Sequence, residues 1–272
     1  MKQRIITAVA LLPLLIAVFI FSDTIVWDIA VTVLSCLAVY EVLNCTGMTK
    51  NWALSIPSLL YGALLPLFSQ NSYKYLYNVT ILYVLLILSC GVLSKNTIHT
   101  REITLVCSLT IYAANAFSAL IMLRRIEAVG LYLTIFVFIG AWITDIFAYF
   151  CGRLFGKHKM LPEVSPKKTW EGAIGGAVFC TGGFVLFGTM LAMKYGLEAN
   201  IPGLIAAGLA SSVVGQLGDL IASAIKRNFD IKDFGWIFPG HGGVLDRFDS
   251  IISIAPFILA VTSRMDIFYI LK

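Results

Sequence analysis

The chain has 272 residues, 59% hydrophobic and only 13% charged; a soluble domain carries about a quarter charged residues, so a water-solvated fold is excluded. The net charge of +5 is modest; it suits anionic lipid or a polyphosphate and calls for no nucleic-acid partner. Six cysteines (Cys36, Cys45, Cys90, Cys107, Cys151 and Cys180) form no C-x-x-C pair and fall mostly inside apolar runs, so they read as small packing residues, not as a metal or disulfide framework.

Nine apolar segments follow one another along the chain. Ile5–Ser22, after Lys2 and Arg4, could pass for a signal peptide, but no small-residue cleavage site precedes Asp23, and it reads as a retained first helix. Thr24–Tyr40 contains one acid, Asp28, while Trp52–Ser69, Tyr75–Leu93 and Ile103–Leu123 contain no charge. Val129–Phe150 contains Asp145, Gly172–Met193 is uncharged, and Ile201–Ile225 contains Asp219. Ile251–Ile270 is last, weakened by Arg264 and Asp266. A spanning helix needs roughly 20 mostly apolar residues to cross a hydrocarbon core about 30 Å thick. The expected fold is therefore all-α, a polytopic integral membrane protein with about nine transmembrane helices. Strands are not expected, because open backbone cannot sit in lipid and the alternating barrel pattern is missing.

Lys and Arg in the short loops give the orientation. Fourteen fall on the side of the N-terminus and six on the other. The N-terminus and the longest loops are thus expected in the cytoplasm, with the protein in the cell membrane and, given nine spans, the C-terminus outside.

The two halves differ in character. Residues 1–128 have short connections and read as transmembrane scaffold. Residues 129–272 carry the two long cytoplasmic loops, 151–171 and 226–249, where charge, Gly and Pro concentrate; loops of that length between membrane helices are usually functional. The chemistry is expected in this second region.

Two acids lie within its spans. At 1.5 Å per residue, Asp219 is roughly 27 Å and Asp145 roughly 24 Å along their helices, both near the cytoplasmic boundary. An ionised acid there needs a polar cavity, a cation or an interhelical ion pair, for instance Asp145 with Lys226. Matching depth suggests one cavity shared by both. Gln216, Asp219, Ser223 and Lys226 recur on one helix face, as do Asp145, Tyr149 and Arg153.

The loops add the rest. Lys226–Asp249 holds four acids and four bases around Gly240, His241, Gly242 and Gly243. Glycine lets backbone approach a ligand closely, carboxylates hold hard cations, and Lys or Arg neutralise phosphate oxygens; the bland alternative is a solvated surface loop. Ser165-Pro166-Lys167-Lys168-Thr169 stands before an apolar run and reads as a helix start. Amide groups there with two lysines suit an anion, or else the lysines are a positive-inside anchor. Three other patterns carry little. Gly152–Lys157 is one residue short of a phosphate loop. The His241-x4-Asp246 spacing is too brief to indicate an acyltransferase. Gly172-x3-Gly176 reads as close helix packing.

Ser223-x-Ile225-Lys226-Arg227-x4-Lys232-Asp233-x-Gly235, continuing through Phe238-Pro239-x-His241-Gly242-Gly243-Val244-x-Asp246-Arg247-Phe248-Asp249, resembles the signature of the phosphatidate cytidylyltransferase (CDP-diacylglycerol synthase) family. Ser165-Pro166-Lys167-Lys168-Thr169-x-Glu171-Gly172 and Asp145-x2-Ala148-Tyr149-x2-Gly152-Arg153 resemble its two upstream motifs. The resemblance covers roughly the second half. It implies that CTP and phosphatidate give CDP-diacylglycerol and pyrophosphate, with Mg²⁺, a possible second cation, and a homodimer. It implies Asp219 and Asp246 as the metal-holding carboxylates. Lys226, Arg227, Lys232 and Arg247 would hold phosphate oxygens, with Lys226 and Arg247 counted as catalytic. Asp145, Asp233 and Asp249 would orient those bases or reach metal through water. His241 would donate to a phosphate or fix the glycine turn. Ser165, Lys167, Lys168 and Thr169, with Ser223 at the head of the signature, would grip substrate. A cation-coupled transporter fits less well, because the acids lie at a membrane edge and the charge is in loops. A related nucleotidyltransferase or kinase acting on another lipid phosphate shares the same headgroup chemistry.

Overall fold

The computed structural model describes residues 13, 16–69, 73–93, 98–262 and 268–269. They are almost entirely helical: α1 Ile25–Cys45, α2 Trp52–Phe68, α3 Tyr73–Leu93, α4 Thr100–Arg124, α5 Gly130–Phe155, α6 Trp170–Tyr195, α7 Ile201–Asn228 and α8 Leu245–Thr262. Six of these (in α3, from Leu76) are long and apolar enough to cross a membrane, and α2 is a shorter apolar helix. An all-α polytopic membrane protein stands, with six candidate spans and a seventh, shorter helix among the described residues where nine were expected. Most of the first expected span lies outside those residues, although residues 16–20 are helical. Lys2, Arg4, Lys95, Arg264, Asp266 and Lys272 also lie outside them.

Strands do occur, contrary to expectation, but they are short. Lys159–Leu161 (β1) pairs antiparallel with Ser165–Thr169 (β2), and Glu198–Ala199 (β3) pairs with Phe268–Tyr269 (β4). Both pairs join helix ends, so the argument against open backbone in lipid does not reach them.

The chain divides into two compact units, one made of Met1–Gly130 with Asn228–Phe248 and the other of Leu131–Arg227 with Asp249–Lys272. In the first unit α1 packs on α2 and α4, and α2 also meets α3. Thr24 starts α1 by accepting the Val26 N–H on its hydroxyl, as N-cap residues do. Asn115 of α4 donates to the Tyr61 hydroxyl of α2 (2.9 Å), which pairs with Thr80 of α3 (2.9 Å), and Tyr61 stacks on Tyr83. Arg124 pairs with Asp23 and Arg125 with the buried Asp28, fastening the far end of α4 to the start of α1.

Small residues let the helices of the second unit approach closely, the usual device where lipid supplies no hydrophobic drive between helices. A Cβ on Gly172 would lie 2.6 Å from the Ala148 carbonyl of α5, and one on Gly176 would lie 2.9 Å from that of Thr144. Gly208 of α7 meets Thr181 and Phe184 of α6, while Gly215 and Gly218 of α7 meet Ile254 and Ser253 of α8. The Gly172–Gly176 spacing is therefore packing, as its sequence indicated.

Candidate active site

The second unit holds an open cleft of about 440 Å³, lined by Asp145, Tyr149 and Arg153 of α5, by Lys159 and Met160 of β1, by Lys167, Lys168 and Thr169 of β2, and by Gln216 and Asp219 of α7. That volume is within the usual range for a small-molecule site. Four cations and two carboxylates line it, a balance suited to a polyanion. Lys168 Nζ is 2.7 Å from Asp219 Oδ2 and also approaches the Gln216 carbonyl. Ser223, one turn on, donates weakly to Asp219 Oδ1 (3.4 Å). Arg153 donates to the Tyr149 hydroxyl (3.1 Å), its neighbour one turn away.

Local sequence explains how the lysines are presented. The expected helix start at Ser165-Pro166 is corrected: Ser165–Thr169 is a strand, and the helix begins at Trp170. Thr169 is the N-cap, extended and accepting the Gly172 N–H (3.2 Å). The helix starts where Thr169, four residues after Ser165, supplies the capping oxygen. Antiparallel pairing with β1 holds this strand beside the cleft, which both Lys167 and Lys168 line. Asp145, expected in a polar cavity, is exposed to the cleft and lies within hydrogen-bond range of Ser250 (3.5 Å). Asp249 of α8 lies within electrostatic reach of Asp219, Asp145 and Lys226.

The glycine loop belongs to the first unit. It is shorter than expected, because α7 runs to Asn228 and α8 starts at Leu245, drawing Asp246, Arg247 and Asp249 into helix. The Phe238 N–H donates to the Gly242 carbonyl (2.9 Å) and the His241 N–H to the Phe238 carbonyl (2.8 Å), closing a tight turn, and Gly240 and Gly242 take left-handed φ values of 78° and 86°, where side chains are strained. Asp246, only 7% exposed, accepts the N–H groups of Phe234 (2.7 Å) and Gly243 (2.9 Å) on Oδ2. His241 Nδ1 is buried and makes no hydrogen bond to the described residues. Arg247, Lys232 and Asp233 are exposed.

Of the remaining sequence candidates, Ser165 lies half-buried in β2, and Arg227 reaches the Val164 carbonyl at 3.5 Å. Lys226 is half-buried at the end of α7. Two residues escaped the sequence reading. Lys159 counted only toward the loop charge, yet it lines the cleft. Glu41 was left out because the apolar run ended at Tyr40, whereas α1 continues to Cys45 and buries Glu41 to 1% exposure.

Among the described residues no three His, Cys, Asp or Glu side chains come close enough to hold a metal ion. Mg²⁺ rarely uses such a cage; it takes one or two carboxylates and completes its shell with substrate phosphates and water. An aspartate facing a cationic cleft fits that pattern.

Residues 2–265 match the family model described as the cytidylyltransferase family. A phosphatidate cytidylyltransferase of Bacillus subtilis (strain 168) is 36% identical over 270 residues, covering 95% of this chain and 96% of the relative. Proteins of the same name from Staphylococcus aureus (strain COL) and Staphylococcus epidermidis (strain ATCC 35984) are 33% and 34% identical, each covering 94% of this chain and 96% of the relative.

Proposed function

The chain belongs to the cytidylyltransferase family, and from that premise we propose that it is a phosphatidate cytidylyltransferase of phospholipid biosynthesis. A phosphate oxygen of phosphatidate bonds to the α-phosphorus of CTP, the bond from that phosphorus to the bridging β-oxygen breaks, and pyrophosphate leaves. The observation that carries the reading is the cleft itself: four cations around Asp219 and Asp145, set among apolar helices. A lipid phosphate and a nucleoside triphosphate need such a place, where charge is neutralised beside the acyl-chain solvent.

The nucleophile is already anionic, so no general base is required, and catalysis reduces to positioning and charge neutralisation around an in-line displacement. Lys167, Lys168, Lys159 and Arg153 bind phosphate oxygens at the cleft wall. Asp219 holds Lys168 in place through the 2.7 Å pair. Asp246 fixes the glycine loop, whose His241 and Lys232, with Arg247 at the start of α8, offer donors to phosphate. From the motif resemblance, Asp219 and Asp246 are the carboxylates proposed for Mg²⁺, which when bound would draw negative charge from the triphosphate and ease pyrophosphate departure. A homodimer and a cytoplasmic N-terminus complete the proposal; the second rests on the Lys and Arg asymmetry of the loops.

The test uses the purified protein in detergent with cytosine-labelled CTP, phosphatidate and Mg²⁺. Label should enter the lipid phase only when all three are present. No lipid-phase label from well-folded protein would refute the assignment.

A further inference from the structure

The acid nearest the glycine loop from the opening helices is Glu41 of α1, about two hundred residues away in sequence. It is 1% exposed, a costly state for a carboxylate unless its oxygens are satisfied. They are satisfied by the loop. The Val244 N–H donates to Glu41 Oε1 at 2.7 Å and the Leu245 N–H donates to Oε2 at 2.8 Å, distances typical of charge-assisted bonds. Asp246 takes the Gly243 N–H beside them. Two carboxylates thus hold three consecutive amides, those of residues 243, 244 and 245, where the loop turns into α8.

The glycines fit the same contact. A Cβ on Gly235 would lie 2.5 Å from Glu41 Oε1, and one on Gly243 would lie 2.2 Å from it. Real Cβ atoms do not come so near an oxygen, so a larger residue at either position would have to push the Glu41 carboxylate aside. A residue that only packed α1 into the bundle would have been served by leucine. This one holds the arm that follows the turn carrying His241, and the start of the helix carrying Arg247.

We infer that Glu41 is a positioning residue for the glycine loop: its carboxylate, held by the Val244 and Leu245 amides, sets the conformation in which His241, Asp246 and Arg247 meet substrate. The inference rests on the proposed activity for what the loop does, and on geometry alone for what Glu41 holds.

Two readouts test it, both on the full-length protein in detergent. Glu41→Gln preserves size but sets an amide NH₂ against a backbone N–H. Exchange of the amides at 243–245, followed by mass spectrometry, should quicken by roughly tenfold or more, since a hydrogen bond to a charged group is lost. Turnover per folded molecule should fall about a hundredfold, the usual cost of displacing a site by about 1 Å, with kcat affected more than the KM for CTP. Glu41→Asp keeps both oxygens on a shorter stem and should recover part of each. Unchanged exchange in Glu41→Gln, or kcat within twofold of the parent despite faster exchange, overturns the inference. Should Glu41→Gln fail to fold, Glu41→Asp decides by the same measurements: faster exchange with lowered kcat supports the inference, and parental values in either overturn it. Failure of the activity assignment would appear instead as a parent protein with no CTP-dependent turnover, leaving the exchange result intact.

Discussion

Replacing Lys168 by methionine removes one of four cations from the cleft and leaves Asp219 without its 2.7 Å partner, while the length of the side chain is kept. The paired side chains are 23% and 29% exposed, so water screens much of their attraction and the pair contributes at most about 1 kcal/mol to stability. The cost to function is larger. A charge-assisted contact to a phosphate oxygen contributes about 1.5–3 kcal/mol. At about 1.4 kcal/mol per decade, its loss from the transition state lowers kcat/KM by about ten- to a hundredfold. The assay is the initial rate of lipid labelling over a range of CTP concentrations, beside a thermal unfolding scan in the same detergent. Lys168→Arg should fall between, since it returns the charge in a different geometry. A Lys168→Met protein with parental unfolding behaviour and kcat/KM within twofold of the parent would refute the assignment of this cleft to the phosphates.

Asp219→Asn and Asp246→Asn should each abolish turnover while the protein stays folded by size-exclusion chromatography; near-normal rates in either would remove it from the proposed Mg²⁺ carboxylates. Asp246→Ala should in addition lower the unfolding temperature, because it leaves the buried Phe234 and Gly243 amides unsatisfied, at about 1–3 kcal/mol each. Gly208→Ala should destabilise by about 1–3 kcal/mol as an overpacked contact, for its Cβ would lie 2.8 Å from the Thr181 backbone, whereas Gly182→Ala, with open space around it, should unfold at the parental temperature. An N-terminal tag should be reached by a membrane-impermeant protease only after the cells are opened, and cleavage on intact cells would reverse the proposed orientation.

The membrane architecture was legible because lipid imposes one dominant signal, long apolar runs with at most one acid, and α2 to α7 fall on such runs. Packing contacts at Gly172 and Gly176 were legible for a related reason: small residues four apart have few other uses between apolar helices. Boundaries were harder. Hydropathy ends where charge begins, yet α1 continues past Tyr40 to bury Glu41, and α8 starts six residues ahead of its apolar run with Asp246 already inside it. A carboxylate whose partners are backbone amides two hundred positions away leaves no local trace. Lys167 and Lys168 were singled out for charge, but their presentation was misread, since Pro166 is compatible with a first helical turn and with an edge strand alike. Thr169, a cap that binds Gly172, was the better boundary signal.

The central claim is displacement at the α-phosphorus of CTP, and paired isotopes test it most directly. With CTP labelled at the α-phosphorus, label should move into the lipid phase in step with phosphatidate consumed. With CTP labelled at the γ-phosphorus, all label should leave in pyrophosphate and none should enter lipid. Lipid carrying the γ-label would mark a kinase and contradict the account.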